Sequence, residues 1–129
     1  MKKRIFTTSV ILFVIIFFVG CAKDEGIVGT WKSHYGQTLI LKANNDALWL
    51  LESHKGVDTF QVKYRIDETT LPNHFDLYDF NKGTLVGFTL YGVSEMKDQT
   101  LKLNFEVGQD DKVRPKGFDP QETQVFYKE

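Results

Sequence analysis

Apolar and polar positions alternate along most of this chain with the period of a β-strand, not of a helix. In residues 57–66, Phe60, Val62, Tyr64 and Ile66 fall on one side and Gln61, Lys63 and Arg65 on the other. Leu101, Leu103, Phe105 and Val107 alternate in the same way with Lys102, Asn104 and Glu106. Between such runs lie residues that reverse a chain: Asn44-Asn45-Asp46, Lys55-Gly56, Leu71-Pro72-Asn73, Asn81-Lys82-Gly83 and Lys97-Asp98-Gln99. The pattern predicts eight strands, near residues 29–35, 38–43, 47–53, 59–66, 74–80, 85–93, 100–107 and 123–128. The expected fold class is therefore all-β. Short antiparallel neighbours with no helix to cover them hide their edges best by closing into an up-and-down barrel. At eight strands, side chains just fill the interior, or it holds one small ligand. The polar stretch 108–122, which carries Asp110, Asp111, Lys112, Arg114, Lys116 and Asp119, is expected to be a solvated loop before the last strand.

The first residues break this pattern. Lys2, Lys3 and Arg4 precede an unbroken apolar run over 10–19, followed by small Gly20 and by Cys21, the only cysteine. That is the layout of an export signal. The run falls short of the roughly 20 apolar residues that cross a bilayer. Ile5 and Phe6 extend it, so an uncleaved anchor is one alternative, and a plain secretory cut near Gly20 is another. Phe18-Val19-Gly20-Cys21 resembles the lipobox of bacterial lipoprotein signal peptides, with Phe18 where leucine is usual. The resemblance implies that residues 1–20 are removed and that Cys21 becomes a lipidated N-terminus, with a diacylglyceryl thioether and usually an N-acyl chain. Residues 21–26 are then a short tether and 27–129 a barrel domain. With about 0.8 kcal/mol per buried methylene, two or three chains hold a protein to the membrane permanently. Ala22 follows the cysteine where an aspartate would mark retention. In a two-membrane bacterium this implies the periplasmic face of the outer membrane; in a single-membrane one, the domain faces outward from the cytoplasmic membrane.

Removing the signal changes the charge. Of 16 basic residues 13 remain against 17 acidic ones, a formal charge of −4. A mildly acidic domain with no basic run is not built for nucleic acid. With Cys21 lipidated, no thiol is left for a disulfide, so stability rests on the core alone.

Gly29-Thr30-Trp31 resembles the opening of the lipocalin and wider calycin barrels. That resemblance implies that Trp31 plugs the closed end of the barrel and that a basic side chain near the last strand, here Lys128, lies across its face. Further motifs follow in order: Tyr64-Arg65-Ile66-Asp67, Pro72, His74-Phe75-Asp76-Leu77, Lys82-Gly83-Thr84-Leu85-Val86-Gly87, Tyr91, Asp98-Gln99-Thr100-Leu101-Lys102-Leu103 and Arg114-Pro115. Together they resemble a lipocalin-like domain family first defined on planctomycete sequences. Asn104 departs from it where a cysteine is common, and Asn81-Lys82-Gly83 where the loop is often Gly-x-x-x-Gly. The resemblance implies a fold and brings no activity with it.

Chemistry is hard to find. His34, His54 and His74 stand singly, and there is no Cys-x-x-Cys, His-Glu-x-x-His, calcium loop, Gly-x-Ser-x-Gly or phosphate-binding glycine loop. No metal, cofactor or catalytic residue is expected, and the protein is not expected to be an enzyme. His74 and Asp76 share one strand face and are expected to be solvent-exposed. Large rings are abundant, Trp31, Trp49, Phe60, Tyr64, Phe75 and Tyr91 among them. They either pack a dense core or line a cavity for a small apolar or amphipathic ligand. Tyr64, Tyr91 and Arg65 are the candidate cavity residues. Alternation alone does not say which face is inside, so Arg65 is either a polar anchor in a cavity or a surface charge. Three functions follow from these readings: a ligand-binding barrel, an interaction or inhibitor module that meets an envelope protein or a foreign hydrolase through its outer surface and loop 108–122, or a passive envelope domain.

Overall fold

The computed structural model describes residues 26–129; the signal segment and Cys21 lie outside the described residues. Eight strands follow one another: β1 (Gly29–Ser33), β2 (Gln37–Leu41), β3 (Asp46–Ser53), β4 (Gly56–Asp67), β5 (Asn73–Tyr78), β6 (Thr89–Lys97), β7 (Thr100–Gly108) and β8 (Gln124–Lys128). Each pairs antiparallel with the next, and β8 returns to β1 with Trp31 opposite Lys128, which closes the sheet into an up-and-down barrel. Closure removes both sheet edges.

One end of the barrel, the lower end, holds the start of β1 and the turns 42–45, 68–72 and 98–99. The upper end holds the turns 34–36 and 54–55, the loop 79–88 and the long connection 109–123.

The alternation along β4 resolves with Phe60, Val62, Tyr64 and Ile66 inward, because these side chains belong to or pack on the core cluster while Gln61, Lys63 and Arg65 are exposed. A continuous cluster of buried side chains runs through the interior. Trp31, Leu39, Leu41, Phe75, Leu77, Leu101, Leu103 and Phe126 are all at or below 1 % exposure. Trp31 occupies the lower end, where its indole N–H donates to the Ile27 carbonyl at 2.9 Å. Trp49, Phe60 and Phe80 occupy the upper end, with Trp49 6.1 Å from Phe60 and 6.4 Å from Phe80 between ring centroids. Between them, Phe75 stacks on Tyr64 at 5.8 Å and tilts against Phe105 at 6.0 Å. Gly92 makes that last contact possible. It is register partner to both Phe75 and Phe105. A Cβ there would lie 2.4 Å from Phe105 Cδ1 and 2.7 Å from the Asn104 carbonyl oxygen.

Strand positions match the sequence pattern closely except in β6. Alternation predicts residues 85–93, whereas the strand runs Thr89–Lys97. Gly87 takes φ +85°, a left-handed conformation that breaks an extended run. At the other end, Ser94 to Lys97 continue the strand through pairing with β7, with Lys97 opposite Thr100 around the turn at Asp98, φ +56°. The connection 109–123 also differs from the solvated loop expected. It contains a short 3-10 helix, Asp111–Val113, capped by Asp110 Oδ1 accepting from the Lys112 N–H at 2.9 Å, and it folds back over the outside of the sheet.

Candidate functional site

The outer face of the sheet carries the most organised polar group. Arg65, Asp76, Tyr91 and Glu106 are successive register partners across β4, β5, β6 and β7, so their side chains form a row on the outside of the barrel. Asp76 is nevertheless only 3 % exposed. It is covered by Arg114, which reaches back from the connection 109–123. Arg114 Nη1 donates to Asp76 Oδ1 at 2.6 Å and to the Gly92 carbonyl at 2.7 Å, and Nη2 donates to Asp76 Oδ2 at 3.2 Å. Arg65 Nε donates to Oδ2 at 2.8 Å, and the Gly92 N–H completes the set on Oδ1 at 3.3 Å. The Arg114 guanidinium also lies over the Tyr91 ring, 5.5 Å from its centroid, and that of Arg65 over Tyr78 at 4.8 Å.

Electrostatics follow from this geometry. Burial pushes the Asp76 carboxyl upward, but the hydrogen bonds from Arg114 and Arg65 outweigh it and hold the group below its ordinary value. Asp76 is therefore a buried carboxylate with two cationic partners, on the outer face where the sequence pattern suggested an exposed His74–Asp76 pair. His74 is half-buried and bonds neither Asp76 oxygen among the described residues.

Two further contacts hold the connection down as a strap. Asn104, buried on the outer face of β7, donates through Nδ2 to the Gly117 carbonyl at 2.9 Å. Val113 closes on Gly108, where an added Cβ would lie 2.6 Å from Val113 Cγ2. Between the strap and the sheet an open cleft of about 490 Å³ remains, lined by Arg65, Asp67, His74, Asp76, Tyr91, Asp110, Asp111 and Arg114 among others. Arg65 is half-exposed here and, among the described residues, hydrogen-bonds only through Nε.

The candidate residues of the sequence separate. Tyr64 is a core ring, 3 % exposed, whose hydroxyl donates to the Lys42 carbonyl at 2.7 Å; burial raises its pKa. Arg65 and Tyr91 do not join it in a cavity, because they lie on the opposite face of the sheet. Trp31 is fully buried, and Lys128, its register partner, places Nζ 5.5 Å from the ring centroid. Cys21 lies outside the described residues. Among the described residues, no three His, Cys, Asp or Glu side chains gather where they could hold a metal ion. Sequence reasoning missed Arg114 and Asp76 as partners. Both residues stand in the ordered motifs His74-Phe75-Asp76-Leu77 and Arg114-Pro115, but nothing in the sequence pattern pairs them.

No family model, no curated protein and no solved structure matches the chain. The likeness to calycins thus rests on the closed eight-stranded antiparallel barrel itself.

Proposed function

We propose that this chain is a lipid-anchored protein of the bacterial cell envelope whose lipocalin-like barrel works from the outside, as an interaction or inhibitor module. The observation that carries this reading is a ring-filled interior beside a strapped outer cleft. A ligand inside the barrel would have to displace Trp31, Phe75 or Phe126, each at or below 1 % exposure. A partner at the cleft meets a preformed surface. Its backbone is already ordered by the Arg114–Asp76 and Asn104–Gly117 contacts, so association costs little additional conformational entropy. Arg65 offers the unused N–H groups of its fork to a carboxylate or carbonyl on that partner. The anchoring half of the proposal comes from the Lys2 to Cys21 segment. No catalytic step is assigned.

The test is photo-crosslinking in the producing cell from a reactive residue at Gln109, with the anchored chain as bait. A discrete crosslinked envelope protein that disappears with Arg114→Ala supports the reading. The same crosslinks with the strap unlatched, or a stoichiometric apolar molecule copurifying with the barrel, sinks it.

A further inference from the structure

We propose that the lower end of the barrel rests in the membrane interface with Leu71 inserted among the lipids, an inference that rests on the lipid-anchor reading. Leu71 is 97 % exposed, the most exposed of the large apolar side chains among the described residues. It is not on a slack loop. The Asp67 carboxylate accepts from the Thr69 N–H at 3.0 Å and from the Thr69 hydroxyl at 2.5 Å. The Thr70 hydroxyl donates to the Asp67 carbonyl at 3.2 Å and accepts from the His74 N–H at 3.0 Å. The turn is thus built from polar contacts on both sides and holds a leucine clear of every core residue, where water gains nothing from it.

The chain enters the barrel beside this turn. Gly26 and Ile27 line a small recess together with Glu68, Asn73 and Met96, and Met96 is itself 45 % exposed. The direction of that segment is fixed, since Lys128 Nζ donates to the Gly26 carbonyl at 3.4 Å and the Trp31 indole to the Ile27 carbonyl at 2.9 Å. Only residues 22–25 separate Cys21 from Gly26. Fully extended, they let Gly26 stand no more than about 18 Å from a lipidated Cys21, at roughly 3.6 Å per residue. A barrel on so short a leash, attached at this end, turns this end toward the bilayer, and Leu71 is the apolar group that meets it first.

Charge identifies the kind of surface. Lys42, Lys97 and Lys128 at this end are offset by Asp67, Glu68, Asp98 and Glu129, so no net positive charge draws it to anionic headgroups. The contact is apolar insertion into the interface of an uncharged lipid, and it is insensitive to salt.

Lipidated protein, whose only native cysteine is acylated, accepts a single environment-sensitive fluorophore at Glu68→Cys on the turn or at Tyr35→Cys on the upper end. Tyr35 is 91 % exposed and serves as the distant site. In phosphatidylcholine vesicles carrying nitroxide lipids, the Glu68 probe is expected to be quenched severalfold more than the Tyr35 probe, equally in low and molar salt. Leu71→Asp, which removes no core contact, should reduce the Glu68 quenching to the Tyr35 level. Equal quenching at both sites on vesicles that retain the protein overturns the docking and leaves the anchor standing. An unmodified Cys21 by mass, with protein free of vesicles, overturns both.

Discussion

Arg114 and Asp76, 38 positions apart in sequence, form a bidentate ion pair on the outside of the barrel, 2.6 Å from Nη1 to Oδ1, and almost no water reaches it. An outward carboxylate on a strand would ordinarily be solvated. Here the strap covers it and is in turn held by it, because Arg114 also donates to the Gly92 carbonyl of the neighbouring strand. One contact therefore shields the cleft floor and fixes the strap above it.

Arg114→Ala should cost about 3 kcal/mol, near the lower end of what breaking a buried pair costs, since Arg65 still donates to Asp76 Oδ2. Urea denaturation measures this. Replacing both partners with apolar groups, Asp76→Leu with Arg114→Met, should destabilise less than Arg114→Ala alone, because no charge is then stranded. Limited proteolysis should cut Arg114→Ala within 109–122 before any strand is lost. If the single variant is as stable and as protease-resistant as the parent, the strap is held by something else.

The same pair sets the response to acid. The folded-state pKa of Asp76 lies below its unfolded value, so its contribution to stability is fully present above about pH 4. It is lost as pH falls through the lowered folded value. Asp76→Asn should be less stable than the parent at neutral pH and should flatten the stability profile in that acid window. Thermal melts of both proteins from pH 7 down to pH 2 decide the matter. A parent and variant with parallel profiles would show that Asp76 is not the group responsible.

The barrel was legible in the chain because its determinants are local. Alternation in 57–66 and 101–107 sorts the residues of β4 and β7 into two faces without saying which is inward, and the turn residues between runs give the strand count. Two features were not legible, for different reasons. β6 was displaced because Leu85 and Val86 look like strand, while the left-handed Gly87 and the pairing of Ser94 to Lys97 with β7 are properties of the fold. The site was hidden because Asp76 gains its burial from a residue in a separate polar segment, and no periodicity connects positions 76 and 114. Polar composition in 108–122 suggested solvent on all sides, when one arginine in it faces the protein.

Among the described glycines, Gly92 has the least room for a Cβ. Gly92→Ala should destabilise by about 3 kcal/mol or more, since overpacking against backbone and the half-buried Phe105 ring finds no flexible neighbour to yield. Phe105→Leu in the same chain should recover part of that loss by vacating the ring edge, though not the clash with the Asn104 carbonyl. Chemical denaturation of the two single variants and the double variant measures the recovery. Strict additivity would mean that Phe105 is not what Gly92 accommodates.

Filling of the interior separates an outside-acting barrel from a carrier, and it can be tested directly. Phe75 is fully buried between Tyr64 and Phe105, at centroid distances of 5.8 and 6.0 Å. Phe75→Ala should cost about 3–5 kcal/mol, the transfer term for the ring plus the void it leaves. That void, walled by apolar side chains, should stay dry and take up benzene. Benzene should then raise the melting temperature of Phe75→Ala in proportion to the logarithm of its concentration and leave the parent unchanged. A parent protein stabilised by benzene to the same degree would mean that the native interior already has room, and the ligand-binding reading of the barrel would return.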